Sequence, residues 1–439
     1  MDHVQSLISR YFNTSQAELR LDGIPVTTIA ALYGTPLFIY DSHVLDQKWT
    51  LLRRTFPPEF YISYSVKANP NCAILHHFLA KGCGLEIASG GEFYQALKAG
   101  CPPQRMLFAG PGKTDAELEL VLTHAIGEIH IESLREVERI EAISRRLGVR
   151  ARVAVRINPS EEVQGGAMRM GGKPAPFGID EESLDIVLEQ IGAAFTLDFR
   201  GLHLFTGTQI LDATILLGQY RKGLEIAKRV ATRLQQPLQT LDFGGGLGIP
   251  YFANEHDLNL EALHQGLTTL MAEIQGEVLL ADTQLIVEPG RYLVGEAGVY
   301  VTRINDIKIS RGKKFLIVDG GMHHHLAASG NLGQVIKRNF PVALLTKLDQ
   351  NPTEIVDVVG PLCTPLDVLA RDLSLPKAEV GELIGVFQSG AYARTASPLG
   401  FLSHPTPAEV LVESRRARLI RRRGTYEDLF YDMPQLPRM

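Results

Sequence analysis

Short apolar segments alternate with longer amphipathic segments along residues 42–297. Eight of the short segments are rich in aromatic and β-branched residues, which is typical of strands. They span residues 61–67, 84–89, 106–110, 128–132, 152–157, 201–207, 240–246 and 284–290. Eight strand–helix units over about 250 residues predict an α/β protein with a (β/α)8 barrel, the TIM barrel. A doubly wound open sheet is the alternative, but it needs a different strand count and a switch point in strand order.

The clearest predicted helix follows the fourth of these segments. Ser133 and Glu136 have the spacing of a capping box, and Gly148 is a typical helix stop. Apolar residues recur between them at helical spacing. Similar patterns occupy residues 214–234 and 258–275. The pattern therefore supports repeating β-then-α units.

Nearly every predicted barrel strand ends in polar or glycine residues. In a (β/α)8 barrel the chemistry lies at the carboxyl ends of the strands. Those ends carry Lys67, Ser89, Gly110, Glu132 and the runs 156–158, 206–209, 244–246 and 288–291. We therefore expect the active site along this rim.

The pattern changes after residue 297. Short β-type runs separated by glycine and proline span residues 299–307, 314–319, 354–359, 383–386, 408–412 and 419–423. A further strand signal lies near Phe38. We therefore predict a barrel domain over residues 42–297 and a mostly β domain, a β-barrel or sandwich, over residues 1–41 and 298–439.

Composition places the chain among ordinary globular proteins. The 439 residues are 45% hydrophobic and 21% charged, and they exceed one typical domain in length. The net charge of −5 gives no electrostatic reason to expect a nucleic acid or an anionic membrane as a partner. The N-terminus has no secretory signal pattern, and no apolar run reaches the ~18 residues of a bilayer span. The four cysteines lack the spacing of metal ligands or of a disulfide framework. We therefore expect a cytoplasmic protein with reduced thiols.

Lys67 lies at the end of an apolar predicted strand, which is unusual because an unpaired ammonium is costly to bury. Two interpretations are open. The side chain extends its charged end to solvent, or it is a reactive amine of the kind that Schiff-base chemistry needs. The other strand ends decide between them.

The last two predicted strands end in features that suit a phosphate and a ring. The run from Gly244 to Gly248 lets backbone N–H groups approach a phosphate, although a plain tight turn explains it too. Gly290 and Arg291 follow the next strand and offer a second phosphate contact. Glu288 can pair with a pyridine nitrogen, or it forms a structural ion pair with Arg156 or Arg291. A lysine, a phosphate cradle and a carboxylate together indicate pyridoxal 5′-phosphate.

Five motifs resemble those of the pyridoxal phosphate decarboxylases with an alanine-racemase-like barrel, a family that includes diaminopimelate, ornithine and arginine decarboxylases. The motifs are Tyr64-Ser65-Val66-Lys67-Ala68-Asn69, the glycine run 244–248, Glu288-Pro289-Gly290-Arg291, Gly360-Pro361-Leu362-Cys363 and Gly390-Ala391-Tyr392. The resemblance covers nearly the whole chain. It implies the barrel, a C-terminal β domain and a head-to-tail homodimer with active sites at the interface.

The resemblance also implies roles for single residues. Lys67 would form the Schiff base with the cofactor, and Glu288 would face its pyridine nitrogen. Cys363, contributed by the partner subunit, would protonate the carbanion that remains after CO2 leaves. Glu86 and Arg156 would line the surroundings of the ring. The phosphate would be held by Thr208, Gly245, Gly246, Gly290, Arg291 and Tyr392.

Departures from the family pattern concern the substrate side. Diaminopimelate decarboxylases usually carry Glu after the reactive cysteine, whereas Thr364 follows Cys363 here. A histidine normally stacks on the ring, but Phe205 stands at that position with His203 two residues earlier. Of the triplet 323–325, His323 and His324 are candidate substrate contacts. Three successive histidines on a strand cannot share one face, so we expect no metal site.

Arg338 is a further candidate to bind a substrate carboxylate. Phe177-Gly178 after the segment 168–172, the run 205–209, the histidine triplet and Cys363-Thr364-Pro365 are similar to a subgroup that includes the butirosin-pathway decarboxylase. That enzyme acts on a glutamyl group held as an acyl-carrier-protein thioester. The resemblance thus implies an amino acid decarboxylase whose substrate is carrier-bound or otherwise modified.

Three alternatives remain open at this point. Diaminopimelate itself is the alternative substrate, and Thr364 weighs against it. An amino acid racemase shares barrel and cofactor but needs two bases, and the Cys363 motif favours decarboxylation. A cofactor-binding regulatory protein of this fold typically lacks a second domain, so the long segment after residue 297 argues against it.

Overall fold

The computed structural model describes residues 3–160, 168–169, 174–205, 207–332, 334 and 337–434. The chain divides into two compact units. One unit comprises Trp49–Ile249 and His256–Tyr292, and the other comprises Met1–Lys48, Pro250–Glu255 and Leu293–Met439.

The first unit is built on a closed ring of eight parallel strands. In chain order they are β1 Phe60–Ser65, β2 Gly84–Ile87, β3 Met106–Phe108, β4 Glu128–Ile131, β5 Ala151–Asn158, β6 Leu197–Leu204, β7 Thr240–Asp242 and β8 Gln284–Val287. Each strand pairs with the next, and Leu285 of β8 lies opposite Phe60 of β1 to close the ring. The predicted (β/α)8 barrel is therefore confirmed, and the open doubly wound sheet is excluded because the ring has no edge.

A helix follows each barrel strand. The eight helices are Cys72–Leu79, Gly90–Lys98, Asp115–Thr123, Leu134–Leu147, Leu184–Ala193, Ala213–Leu234, Leu260–Gln275 and Arg291–Val294. Short accessory strands in this unit are Met168–Arg169, which pairs with Gly207–Thr208, and Ile179–Asp180, which pairs with β5. Single 3₁₀ turns span Val66–Ala68, Pro103–Arg105 and Glu181–Ser183.

The helix after β4 begins as predicted, but only half of the capping box forms. The Ser133 side chain accepts a hydrogen bond from the Glu136 N–H, and Gly148 ends the helix with φ of 68°. Glu136 does not return the bond to Ser133. Its carboxylate accepts from the Glu132 N–H at 2.7 Å and from Lys113 Nζ at 2.8 Å. A tertiary partner, buried Lys113, has replaced the local one.

Several barrel strands end earlier than the sequence predicted. β1 stops at Ser65, so Lys67 lies in a 3₁₀ turn and not on the strand. β7 stops at Asp242 because Gly244 and Gly246 adopt φ of 66° and 93°, which an extended strand does not allow. Lys67 and the glycine run therefore belong to loops at the carboxyl rim, whereas Arg156 and Asn158 lie within β5.

The second unit is mostly sheet. Its main sheet runs in the order Val368–Leu375, Glu354–Val359, Lys313–Val318, Gly298–Ser310, Leu37–Asp41, Ala408–Glu413 and Arg416–Arg421. Leu383–Val386 pairs with Gly298–Ser310 and with Val342–Leu344. The N-terminal strand Leu37–Asp41 lies between two C-terminal strands, as predicted. Val342–Leu344 and Val368–Leu375 were not predicted.

The remaining elements of this unit are short. A three-stranded sheet contains Asn13–Ser15, Glu18–Leu21 and Ile24–Pro25. The N-terminal helices are His3–Tyr11, Val26–Tyr33 and Ser42–Thr55, the last of which continues into the barrel unit, and 3₁₀ turns span Gly295–Ala297, Phe401–Ser403 and Glu427–Phe430. Across the described ranges of the chain, no helix is both long enough and apolar enough to cross a membrane.

Candidate active site

Lys67 is held at the carboxyl rim by a buried carboxylate. Its Nζ lies 3.1 Å from both carboxylate oxygens of Glu86. The Glu86 side chain is 1% exposed, whereas that of Lys67 is 44% exposed. Ser65 fixes the carboxylate by donating a hydrogen bond to it at 2.5 Å. Glu86 thus orients the ammonium, while nearly half of the Lys67 side chain stays exposed.

The glycine loop after β7 leaves no room for side chains. A Cβ at Gly245 would lie 2.3 Å from the Glu288 carbonyl oxygen, and one at Gly246 would lie 2.9 Å from that of Gly207. The Ile210 N–H donates to the Gly246 carbonyl at 2.9 Å, which ties this loop to the loop that carries Thr208. Such closeness of backbone suits a phosphate cradle and is more than a plain turn requires.

Gly290 brings the loop after β8 against the turn that carries Lys67. A Cβ there would lie 3.0 Å from the Ala68 Cβ, and the Ser65 N–H donates to the Pro289 carbonyl at 3.2 Å. Arg291 begins the helix that follows this loop. The structure therefore places Gly245, Gly290 and Lys67 on neighbouring loops of one rim.

Phe205 faces the space between these groups. Its ring centroid lies 5.9 Å from Lys67 Nζ and 5.9 Å from Arg156 Cζ. A Cβ at Gly244 would lie 2.9 Å from Cδ2 of the Phe205 ring. A phenyl ring in this position can stack on a planar cofactor but cannot donate a hydrogen bond to it.

Glu288 is buried at the end of β8, beside His203. One Glu288 oxygen lies 3.4 Å from His203 Nε2. Burial alone would raise the pKa of Glu288, but His203, His130 and Lys67 hold it below its usual range. Burial lowers the pKa of His203 to about 4, so this ring is neutral at pH 7. The site thus contains an anionic carboxylate at pH 7, as a pyridinium partner requires.

Arg156 pairs with Glu132 at 2.9 Å, and no ion pair between Arg156 and Glu288 is found among the described residues. Glu132 also accepts the N–H groups of Gly110 at 2.6 Å and Gly178 at 3.0 Å. Burial would raise the pKa of Glu132, but Arg156 and Lys113 bring it below its usual range. Glu132 therefore positions Arg156, a role that the sequence did not reveal because its partners follow other strands.

The Cys363 loop belongs to the second unit and is held by Asp367. Cys363 is exposed. Asp367 is 2% exposed, and its two oxygens accept the N–H groups of Met322 at 2.6 Å and Leu362 at 2.9 Å. Asp367 thereby joins the loop of Cys363 and Thr364 to the segment that carries the histidine triplet.

The histidine triplet lies in a turn, so the prediction of a strand there was wrong. The His324 and His325 N–H groups both donate to the Gly321 carbonyl, which folds the segment back on itself. His324 Nδ1 lies 3.2 Å from the Tyr300 hydroxyl, and His325 Nε2 lies 2.9 Å from Ser389 Oγ. Among the described residues, neither ring nitrogen of buried His323 has a hydrogen-bond partner.

Two further candidates lie in the second unit. Tyr392 has φ of 52° and lies two residues after Gly390, where a Cβ would lie 1.7 Å from the Val294 carbonyl oxygen. Arg338 is exposed, with its guanidinium carbon 3.6 Å from the Phe252 ring centroid and Nη2 3.4 Å from Glu255. In the resemblance segments, Thr206 and Met170-Gly171-Gly172 lie outside the described residues.

The barrel residues fit pyridoxal 5′-phosphate. The second carboxylate oxygen of Glu288 is buried and, within the described ranges, has no hydrogen-bond donor. A protonated pyridine nitrogen would supply one. The glycine loop offers backbone N–H groups where side chains are excluded, and Lys67 offers an amine at the same rim. These three features lie in one unit and match the three functional groups of the cofactor.

Residues 43–295 match the family described as pyridoxal-dependent decarboxylase, pyridoxal binding domain. The chain is 36% identical over 414 residues to the L-glutamyl-[BtrI acyl-carrier protein] decarboxylase of Niallia circulans, covering 94% of this chain and 96% of that protein. It is 32% identical over 421 residues to the diaminopimelate decarboxylase of Aquifex aeolicus, covering 95% and 96%.

Solved structures are similar over almost the full length. Diaminopimelate decarboxylase from M. jannaschii has a TM-score of 0.88 and 27% identity, covering 98% of each chain. The Helicobacter pylori enzyme in complex with L-lysine has a TM-score of 0.82 and 30% identity, covering 92% of this chain and 98% of that one.

Proposed function

Because the chain belongs to the pyridoxal-dependent decarboxylase family, we propose that its substrate is an amino acid tethered to a carrier protein, with glutamate as the candidate amino acid. The chain is a carbon–carbon lyase that uses pyridoxal 5′-phosphate to release CO2 from an amino acid. The relative in Niallia circulans is named for a glutamyl group on an acyl-carrier protein. The proposal extends that substrate class to this chain.

The observation that carries the proposal is that the described residues of the Cys363 loop offer no available carboxylate. Free diaminopimelate presents a distal ammonium, which needs an anionic partner. Thr364 is neutral, and both oxygens of Asp367 are engaged by backbone N–H groups. A glutamyl group tethered as a thioester has an uncharged distal end in place of that ammonium, so a neutral threonine suffices to face it.

The cofactor supplies one thing when bound: it withdraws the electron pair left by the departing carboxylate. Lys67 would hold it covalently. Gly245, Gly246, Gly290 and Arg291, with Thr208 and Tyr392, would bind its phosphate. Phe205 would cover one face of the cofactor ring, and Glu86 and Arg156 would lie at the edges of the ring. His203 would support Glu288 from behind. Glu288 would keep the ring nitrogen protonated.

The reaction needs one proton at the α-carbon. The carboxylate leaves as CO2, and the carbon–carbon electron pair must end in a new carbon–hydrogen bond. We propose that the partner subunit's Cys363 donates that proton, in a homodimer with its active sites at the interface. His323, His324 and Arg338 would contact the substrate beyond its reacting carbon.

Borohydride reduction followed by peptide mass mapping tests the covalent attachment. The reduced cofactor should be found on Lys67. Lys67→Ala should lose it, while Lys98→Ala, a substitution of an exposed helical lysine, should retain it. Reduced cofactor on another lysine in the wild-type protein would refute the assignment.

A substrate panel tests the tethered amino acid. CO2 release should be fastest from a glutamyl-carrier thioester and slow from free glutamate, lysine, ornithine and meso-diaminopimelate. Efficient release from free meso-diaminopimelate would refute the proposal. That outcome would favour the runner-up, diaminopimelate decarboxylase, which relatives at 32% identity support.

A further inference from the structure

A buried polar cluster lies inside the barrel, next to the proposed site. It consists of His130 in β4, His203 in β6, Asp242 at the end of β7 and Glu288 just after β8. One nitrogen or oxygen atom from each side chain lies within 4.8 Å of the other three, and all four residues are buried. Four separate strands contribute to it, so no single motif reveals it.

Each of the two carboxylates of this cluster has one oxygen for which the described residues offer no hydrogen-bond donor. Asp242 uses one oxygen to accept the Gly244 N–H at 2.8 Å. Glu288 directs one oxygen to His203. The remaining oxygen of each is buried, and no hydrogen-bond partner for either is found in the described parts of the chain. An ionised carboxylate only accepts hydrogen bonds, so two ionised groups here would leave both oxygens unsatisfied at considerable cost.

A single proton on Asp242 removes this conflict, and the same Glu288 oxygen keeps a second lone pair for the pyridine nitrogen. We propose that Asp242 is protonated and donates a hydrogen bond to Glu288, which makes Asp242 a positioning residue for the carboxylate that faces the cofactor ring. The proposal deepens the proposed function, because it rests on the role given there to Glu288. It assigns Asp242 a role that the motif resemblance did not supply.

The charges around each group decide which one holds the proton. Glu288 faces His203, His130 and Lys67, which favour its anion. Asp242 faces the carboxylates of Glu288 and Glu128, which disfavour its anion. His130 and His203 of the cluster also lie beside Asp242, as does the buried Tyr220 hydroxyl.

The pKa values of Asp242 and Glu288 shift in the directions that these neighbouring charges predict. Burial and the adjacent Glu288 raise the pKa of Asp242 well above its usual range. The pKa of Glu288 lies below its usual range. Two carboxyl groups in one buried site separate in this way because both cannot ionise together.

The position of Asp242 suggests what a protonated carboxyl group does at this site. Its one carboxyl group contacts Gly244, the first residue of the phosphate loop, and reaches Glu288, the ring-nitrogen partner. Asp242 would therefore set the spacing between the two ends of the cofactor site. As a neutral donor it would also keep Glu288 anionic without adding a second charge.

Two substitutions separate this role from simple packing. Asp242→Asn keeps an oxygen to accept from Gly244 and an amide N–H to donate to Glu288, so cofactor affinity should stay within about 3-fold of wild type. Asp242→Ala removes the donor to a charged group, and the affinity should fall roughly 10- to 100-fold. Cofactor titration followed by protein fluorescence gives both values.

Infrared spectroscopy of the cofactor-bound enzyme supplies a direct readout. The wild type at pH 7 should show the C=O stretch of a buried protonated carboxylic acid, and Asp242→Asn should lose it. Asp357→Asn is the matched control: Asp357 is a buried carboxylate paired with Lys313 at 2.9 Å, so its loss should leave the band unchanged. If Asp242→Ala does not fold, the band and Asp242→Asn still decide the question.

Three results would overturn the inference. They are absence of an Asp242-dependent band in the wild type, a loss of affinity in Asp242→Asn as large as in Asp242→Ala, and one equivalent of a divalent metal bound per chain through the cluster. Neither the titration nor the band requires a substrate. A failure of the tethered-substrate proposal would therefore leave these outcomes intact and distinguishable.

Discussion

Replacing Gly245 with alanine should damage the cofactor site through backbone contact alone. The added Cβ would lie 2.3 Å from the Glu288 carbonyl oxygen and 3.2 Å from its carbon. Gly245 does not have a positive φ, so no strain in its own conformation contributes. Because the obstacle is backbone and not a flexible side chain, the loop and the Glu288 strand end must move apart.

The size of that movement sets the expected effects. Real Cβ contacts essentially never fall below 3.0 Å, so the two segments must separate by at least 0.7 Å. The hydrogen bond from the Glu288 N–H to the Gly244 carbonyl, now 2.8 Å, lies within the displaced region. Overpacking of this kind costs about 1–3 kcal/mol, which lowers Tm by roughly 2–4 °C for each kcal/mol in a domain of this size. Since the same shift displaces the N–H groups that we propose to bind the phosphate, cofactor affinity should fall by at least ~10-fold.

Thermal unfolding of the apo-protein and cofactor titration measure the two effects. Gly218→Ala is the matched control, because Gly218 lies in the helix Ala213–Leu234 with nothing within 4 Å of an added Cβ. That change should stabilise the protein by about 0.5–1 kcal/mol and leave cofactor binding unchanged. If Gly245→Ala melts and binds cofactor as the wild type does, the close approach of the two strand ends is refuted.

Other substitutions test the rest of the site. Glu132→Gln should lower the free energy of unfolding by about 3 kcal/mol, because it leaves the Arg156 guanidinium buried without its anion. Denaturant titration measures this change. An unchanged unfolding midpoint would contradict the ion pair between Glu132 and Arg156. Cys363→Ala should retain the cofactor but slow CO2 release, and an unchanged rate would remove the thiol from the mechanism. Burial lowers the pKa of His323 to about 4, below its unfolded value of ~6.5, so the unfolded state binds a proton first as the pH falls. The contribution of His323 to the free energy of unfolding is therefore complete above pH ~6.5 and is lost toward pH 4 at about 1.4 kcal/mol per pH unit. His323→Gln should flatten the dependence of stability on pH in this range. An unaltered dependence would contradict the pKa shift.

The barrel could be predicted from the sequence because its signals are local. Strand and helix periodicities alternate within each unit of about 30 residues, and burial of the apolar face of each element follows from them. The placement of the glycine run 244–248 and of Lys67 on one rim could be predicted as well, since a barrel directs the carboxyl end of every strand to one side. The N-terminal strand Leu37–Asp41 also carried its own apolar signal.

The strand Val368–Leu375 and the turn at His323 could not be predicted, because neither depends on local pattern. Arg371 and Asp372 interrupt the apolar alternation of that strand, which is established by pairing with Glu354–Val359. We predicted a strand for the histidine segment, but it forms a turn in which two N–H groups donate to the Gly321 carbonyl. In both places a distant or backbone partner overrides side-chain propensity.

The sequence by itself therefore determined the barrel, the β domain and the residue types of the candidate cofactor site. Only the tertiary structure showed which groups act on one another. Glu132 pairs with Arg156 across neighbouring strands, and Asp242 approaches Glu288 because β7 and β8 are adjacent in the ring. Charge, protonation and hydrogen-bond satisfaction depend on distances of a few ångströms between residues far apart in the chain, and the closure of the barrel sets those distances.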